Sequence, residues 1–256
     1  SFEIVYVLLI LLILSVFGAA AGEIFALAFG LPPLVGTLAL MAAIMVVAMA
    51  GNRAVEALFK YVSFFLYGVY ALVIVLTLTR VGDRIGATLK LDVPTEGWVT
   101  GGITYAGYNL LGAVVILPMI RHVTSSRDAV VAGLLCGPLA ALPAFLFYLC
   151  TMAYYPEIGS AVIPSDMLLA QLGMPWLHLI FQLMILAALL EGGVGLIHAI
   201  NQRIAGVYEH RGRTMSAPTR LAAAASILVG AIFVASRFGL IELVAKGYTA
   251  FAYLII

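Results

Sequence analysis

In the stretch LLEGGVGLIHAINQR (189–203), an acid and an imidazole stand within an apolar run that begins near Met174. On an α-helix Glu191, Gly195, His198 and Gln202 are spaced i, i+4, i+7 and i+11, so they share one face. That face is small and polar, and the rest of the run is Leu, Ile and Met. An ionised carboxylate facing lipid costs several kcal/mol, so the face is expected to turn toward other helices or a water-filled cavity. Two readings of Glu191 are open. It carries a proton or contacts a cationic solute, or it is a protonated packing residue bonded to a neighbouring helix. His198 is either a third coupling group or a plain interfacial histidine. Asn201 and Gln202 read as polar residues at a helix end.

Glu23 is a second acid of this kind, next to Gly22 and five residues after Gly18 in FGAAAGEIFALAFG (17–30). AAAGE (19–23) and AALLE (187–191) both read Ala-Ala-x-x-Glu, late in a long apolar segment. Chance in an Ala-rich chain or an internal repeat explains the match equally well. The two segments are expected to run in opposite directions, as inverted repeats require.

A third group of residues suggests ligand binding. TGGITYAGYNLLGAVVILPMIRH (100–122) holds Gly101, Gly102, Gly107, Gly112 and Pro118 in one apolar stretch. Glycine and proline weaken helices, and unwound backbone at membrane depth is tolerated where it lines a cavity. Secondary transporters hold solutes at such interrupted helices, on freed amide groups and a half-helix N-terminus. Tyr105, Gly107, Tyr108 and Asn109 are therefore the candidate substrate-binding residues. The alternative is a glycine-rich packing helix with interfacial tyrosines. Glu242 and Lys246 are i, i+4 and can pair.

No GxSxG, HExxH, Walker loop or Cys/His metal cluster occurs, so no enzyme chemistry, metal or cofactor is expected. Glu191 and His198 stand about 10 Å apart along a helix, too far to hold one metal unaided. Cys136 and Cys150 read as small buried hydrophobes.

The elements that position these residues follow from composition. The chain of 256 residues is 64% hydrophobic and 10% charged, against about 25% charged in soluble domains. With a net charge of +1, nothing points to a nucleic-acid partner. The lipid bilayer is the expected surrounding, and the fold class is all-α, a polytopic transmembrane bundle. Eight spans are expected, near 3–28, 34–51, 61–79, 99–121, 129–155, 174–203, 219–236 and 239–256. Pro32 and Pro33 punctuate the first connector. Residues 52–60 read as an amphipathic helix, 80–97 as a polar loop, and 155–173 as holding a short helix capped by Ser165 or Asp166. Pro138 and Pro143 predict kinks. Basic residues gather in alternate loops: Arg53 and Lys60, then Arg121 and Arg127, then Arg203, Arg211, Arg213 and Arg220. That places these loops on the cytoplasmic side and 80–97 outside. The chain enters an apolar run almost at once and stops inside another, as expected for a piece of a longer protein.

The runs YYPEIGSAVIPSDMLLAQLG, LLEGGVGLIHAINQRI, YAGYNLLGAVVILP and FGAAAGEIFALAFGLP resemble the YkvI-like bacterial membrane proteins. That family is similar to LeuT-fold transporters of the amino acid/polyamine/organocation superfamily. The resemblance implies an inverted repeat of five-helix units lacking its first two core helices. Residues 1–79 would be a partial first repeat of three spans, 80–97 the extracellular or periplasmic loop, and 98–256 a second repeat of five spans. It implies a multi-pass protein of the bacterial inner membrane. The span at 99–121 matches the broken sixth helix, placing Tyr105, Gly107, Tyr108 and Asn109 beside substrate. The span at 174–203 matches the eighth helix, which supplies hydroxyls to sodium in coupled relatives. Here no Ser or Thr occurs between Gly173 and Thr214, which favours protons over sodium. The expected function is secondary active transport of a small amino-acid-like or other organic solute, either as symport with protons or without coupling. Glu191, Glu23 and His198 are the candidate coupling residues. The alternatives are a non-transporting ligand sensor on the same fold and a structural membrane subunit.

Overall fold

A computed structural model describes residues 2–91, 96–112 and 123–255, with side chains for all of these except 2, 52, 108–112 and 252–255. In chain order the helices are α1 (Phe2–Phe29), α2 (Pro33–Met49), α3 (Asn52–Thr88), α4 (Trp98–Gly112), α5 (Ser126–Met152), α6 (Pro164–Leu172), α7 (Pro175–His210), α8 (Ala217–Glu242) and α9 (Tyr248–Ile255). A 3₁₀ turn at Glu157–Ser160 precedes α6, and a π turn at Leu243–Gly247 joins α8 to α9. Among the described residues, five helical stretches are long and apolar enough to cross a membrane, and Pro33–Met49 is a shorter apolar helix. Outward-facing side chains are greasy: Leu134, Leu135, Leu139, Leu142 and Phe145 on α5 are each more than half exposed. Such a surface suits lipid hydrocarbon or another apolar surface, not water. The chain is a multi-pass helical membrane protein.

The chain forms two compact units. One gathers the described residues of Ser1–Val62, Val99–Val115 and Ile185–Ile256; the other gathers those of Ser63–Trp98 and Ile116–Met184. In the first unit α1 packs on α2 and α8. Its core interleaves Ile10 and Leu14 of α1, Met41 and Ile44 of α2, Val194 and Ile197 of α7, and Leu228 and Ala231 of α8. Small residues set the spacing, as is usual where helices associate within lipid. A β-carbon on Gly22 would lie 2.6 Å from the Pro33 carbonyl oxygen, and one on Gly36 would strike the backbone of Ala21. The Thr37 hydroxyl donates across the same seam to the Gly18 carbonyl at 2.8 Å.

The second unit has its own core, where Ile74 and Ile85 of α3 meet Cys150, Ala153 and Tyr154 near the end of α5, with Ile158 and Leu168. Beside it Tyr70, Phe147 and Phe181 form a cluster of rings with centroids 5.5–5.7 Å apart.

Several boundaries differ from the sequence expectation. The amphipathic segment 52–60 and the span after it are one helix, and that helix continues to Thr88. Residues 80–88 are therefore helical, not loop, beyond a kink at Val81 (φ −130°, ψ 18°). The reason is periodicity hidden under charge. Val81, Ile85 and Thr88 are spaced i, i+4 and i+7, and Ile85 and Thr88 are buried. The Arg80 side chain donates to the Leu172 carbonyl at 3.1 Å, capping the C-terminal end of α6. At the other end of α6 the N-cap is Ile163, without a side-chain cap, and Pro164 opens the helix. Neither Ser165 nor Asp166 serves as that cap. At the end of α8, Gly239 adopts φ 66°, ψ 171°, an extended left-sided conformation open to glycine, and the chain then turns into the π segment. Glu242 and Lys246 pair there at 2.6 Å, both exposed.

Candidate functional site

α7 is one unbroken helix from Pro175 to His210, so Glu191, Gly195, His198 and Gln202 do share a face. His198 and Gln202 approach to 3.4 Å through their side-chain nitrogens. The face is a flank of the packed surface, not its centre. Val194, Ile197, Ile200 and Asn201 point into the core, whereas Glu191, Gly195 and His198 are half-buried and Gln202 is exposed. Asn201 is the residue the sequence placed wrongly. It lies well inside the helix, is 6% exposed, and its Oδ1 has no hydrogen-bond partner among the described residues.

The two glycines after Glu191 bring α7 against its neighbours. A β-carbon on Gly192 would lie 2.8 Å from the Phe17 ring of α1, and one on Gly193 would collide with Ile44 of α2. Gly195 faces the Phe59 ring of α3, which a β-carbon would meet at 3.3 Å. Glu191 therefore sits next to glycines where α7 comes against α1 and α2. A clamped helix fixes the position of an acid better than a loop does.

α1 and α7 run antiparallel. Gly192 meets Phe17, and toward the start of α1 Arg203 reaches back to Glu3 through two bonds, at 2.6 and 2.5 Å. Glu23 is half-buried on α1, six residues beyond Phe17. At 1.5 Å per residue it lies about 9 Å along the axis from the level of Gly192. The two acids thus occupy one packed unit at different depths.

The candidate solute residues are described in part. α4 is helical through Gly101, Gly102 and Gly107, with no unwound stretch between Trp98 and Gly112. Tyr105 is 61% exposed and Gly107 is buried. The side chains of Tyr108 and Asn109 lie outside the described residues, as do residues 113–122 with Pro118.

A further polar cluster in the second unit escaped the sequence reading. His178 Nε2 and Asp166 Oδ1 are 2.5 Å apart, and the Gln182 amide donates to the same Asp166 oxygen at 3.1 Å. His178 and Gln182 are i, i+4 on α7, and Asp166 lies in the first turn of α6. The His-x-x-x-Gln spacing downstream of an acid in a short helix was the available signal. The cluster straps α6 onto the start of α7.

Among the described residues no group of three or more His, Cys, Asp or Glu side chains is arranged to hold a metal ion. No family model matches the chain, and no curated protein or solved structure matches it.

Proposed function

We propose that this chain is the membrane part of a secondary active transporter, not an enzyme, moving a small amino-acid-like or other organic solute by alternating access. In this reading it is a YkvI-like protein of the bacterial inner membrane, built on the LeuT-like inverted repeat. Glu191 couples solute movement to protons, Glu23 assists at another depth, and His198 tunes the same flank. Tyr105, Gly107, Tyr108 and Asn109 line the solute path.

One observation carries the reading: Glu191 is half-buried within a membrane-length helix, beside the glycines at which that helix meets α1 and α2. Ionisable groups inside membrane spans are expensive and mark ion or solute pathways. The antiparallel course of α1 and α7, each with an acid after a small-residue run, supports an inverted relation between the segments.

The test has two stages. Purified protein is screened for thermal stabilisation by amino acids, amines and nucleobases over a range of pH. The stabilising solute is then used in counterflow with proteoliposomes. Exchange of labelled solute supports transport. Stabilisation without exchange supports the sensor on the same fold, and neither response leaves the structural subunit as the better account.

A further inference from the structure

At the end of the first unit where α1 begins and α7 finishes, two cavities of opposite character adjoin. One, about 480 Å³, is almost wholly apolar and is lined by Tyr6 and Val7 of α1, Ile204 and Val207 of α7, and Ala223 and Ile227 of α8. The other, about 460 Å³, is lined by Glu3, Arg203, His210 and Arg211 with the backbone around Gly206. Glu3, Arg203 and Val207 belong to both, so the greasy groove opens directly into the polar pocket. Each has the volume of a small-ligand site.

Arg203 stands at the junction. Its guanidinium bonds the Glu3 carboxylate and lies over the Tyr6 ring, 4.9 Å from the ring centroid. One anionic group already engages it, so a second would meet the cations beyond. Arg211 forms no ion pair among the described residues. Arg213 and Arg220 follow it in the sequence and Glu209 precedes it, so residues 203–220 carry four arginines against one acid.

We propose that this junction binds an anionic phospholipid. Its acyl chain lies in the groove between α1, α7 and α8, and its phosphate meets Arg211 and His210 beside Arg203. The chemistry argues for this occupant over others. A zwitterionic lipid would fill the groove, but its headgroup cation would offset what its phosphate gains at the basic rim. A soluble anion would use the rim and leave the groove empty. Basic pockets between membrane helices take acidic headgroups in this way. The site is independent of whether the chain transports.

Native mass spectrometry on delipidated protein in neutral detergent tests this, with phosphatidylglycerol, phosphatidylcholine and glycerol 3-phosphate titrated separately. The expected result is preferential retention of phosphatidylglycerol, by about fivefold for each arginine facing the headgroup. Arg211→Gln removes one such step. Glu3→Gln releases Arg203 and strengthens binding. Ala223→Phe closes the groove and weakens both lipids. Glu3 and Arg211 are exposed, so those two variants retain the fold. Equal retention of phosphatidylcholine overturns the proposal. So does glycerol 3-phosphate binding as tightly as the lipid, a second protein copy in place of lipid, or indifference to Glu3→Gln and Arg211→Gln.

Discussion

Gly193 of α7 lies so close to Ile44 of α2 that a single added β-carbon would occupy the space of the isoleucine's terminal methyl. Ile44 is completely buried in the shared core, and Leu14 is also in contact range of the added carbon, so the side chain has little room to swing away. Gly193→Ala is expected to lower stability by about 1–3 kcal/mol, the range for overpacking a filled core. Ile44→Val removes the nearer of the two colliding carbons and leaves Cγ1 at 2.9 Å, so the double variant should melt above Gly193→Ala alone by a partial recovery. A thermal melt in one detergent reads both, and strict additivity of the two losses would refute the contact.

Gly36 makes a different kind of contact. Its neighbour is the backbone of Ala21, which no side-chain change can remove. Gly36→Ala is therefore expected to destabilise more than Gly193→Ala, and no substitution on α1 should rescue it. Equal melting temperatures for the two variants would show that the α1–α2 seam yields more easily than its geometry implies.

Thr37 joins the same two helices by its hydroxyl, 2.8 Å from the Gly18 carbonyl. Thr37→Val keeps the shape and deletes the bond. The expected loss is about 0.6–1.7 kcal/mol, as for other hydrogen bonds between membrane helices. Thr37→Ser keeps the donor and should recover most of it. Chemical unfolding in mixed micelles distinguishes the two.

Much of this architecture was legible in the sequence, and the exceptions share a cause. Apolar run length located the long helices because the bilayer dictates their length, and Pro32 and Pro33 marked the break before α2 because proline cannot continue a helix, although Pro33 itself opens α2. Residues 80–88 misled because Arg80, Asp83 and Arg84 suggested a loop, while Val81, Ile85 and Thr88 kept a helical period beneath them. Asn201 misled because polarity in a sequence says nothing of which side of a helix is packed. For Glu191 the shared face was readable, but its place on the flank was not. That depends on where Phe17 and Ile44 meet Gly192 and Gly193, a tertiary fact. Asp166 read as a helix cap because such residues usually are caps. Its carboxylate is instead engaged by His178 and Gln182, which only the folded chain brings near.

That engagement has a measurable consequence. His178 and Asp166 are each 24% exposed, so their bond is partly shielded from water. Asp166→Ala should cost about 1.5–3 kcal/mol, as for a hydrogen bond to a charged group. It should loosen α6 in particular. Hydrogen–deuterium exchange over 164–172 is expected to accelerate while the α1–α2 seam keeps its protection. Unchanged exchange in α6 would show that the Arg80 cap and the apolar contacts of Leu168 hold it alone.

The central claim is that the acid clamped at the crossing of α7 with α1 and α2 moves protons together with solute. The most direct measurement is lumenal acidification in liposomes loaded with a pH-sensitive dye, after external addition of the stabilising solute, for wild type and Glu191→Gln. The account predicts prompt acidification by the wild type. It predicts none above background for Glu191→Gln, with the solute still stabilising the variant thermally. Acidification at the wild-type rate by Glu191→Gln would contradict it.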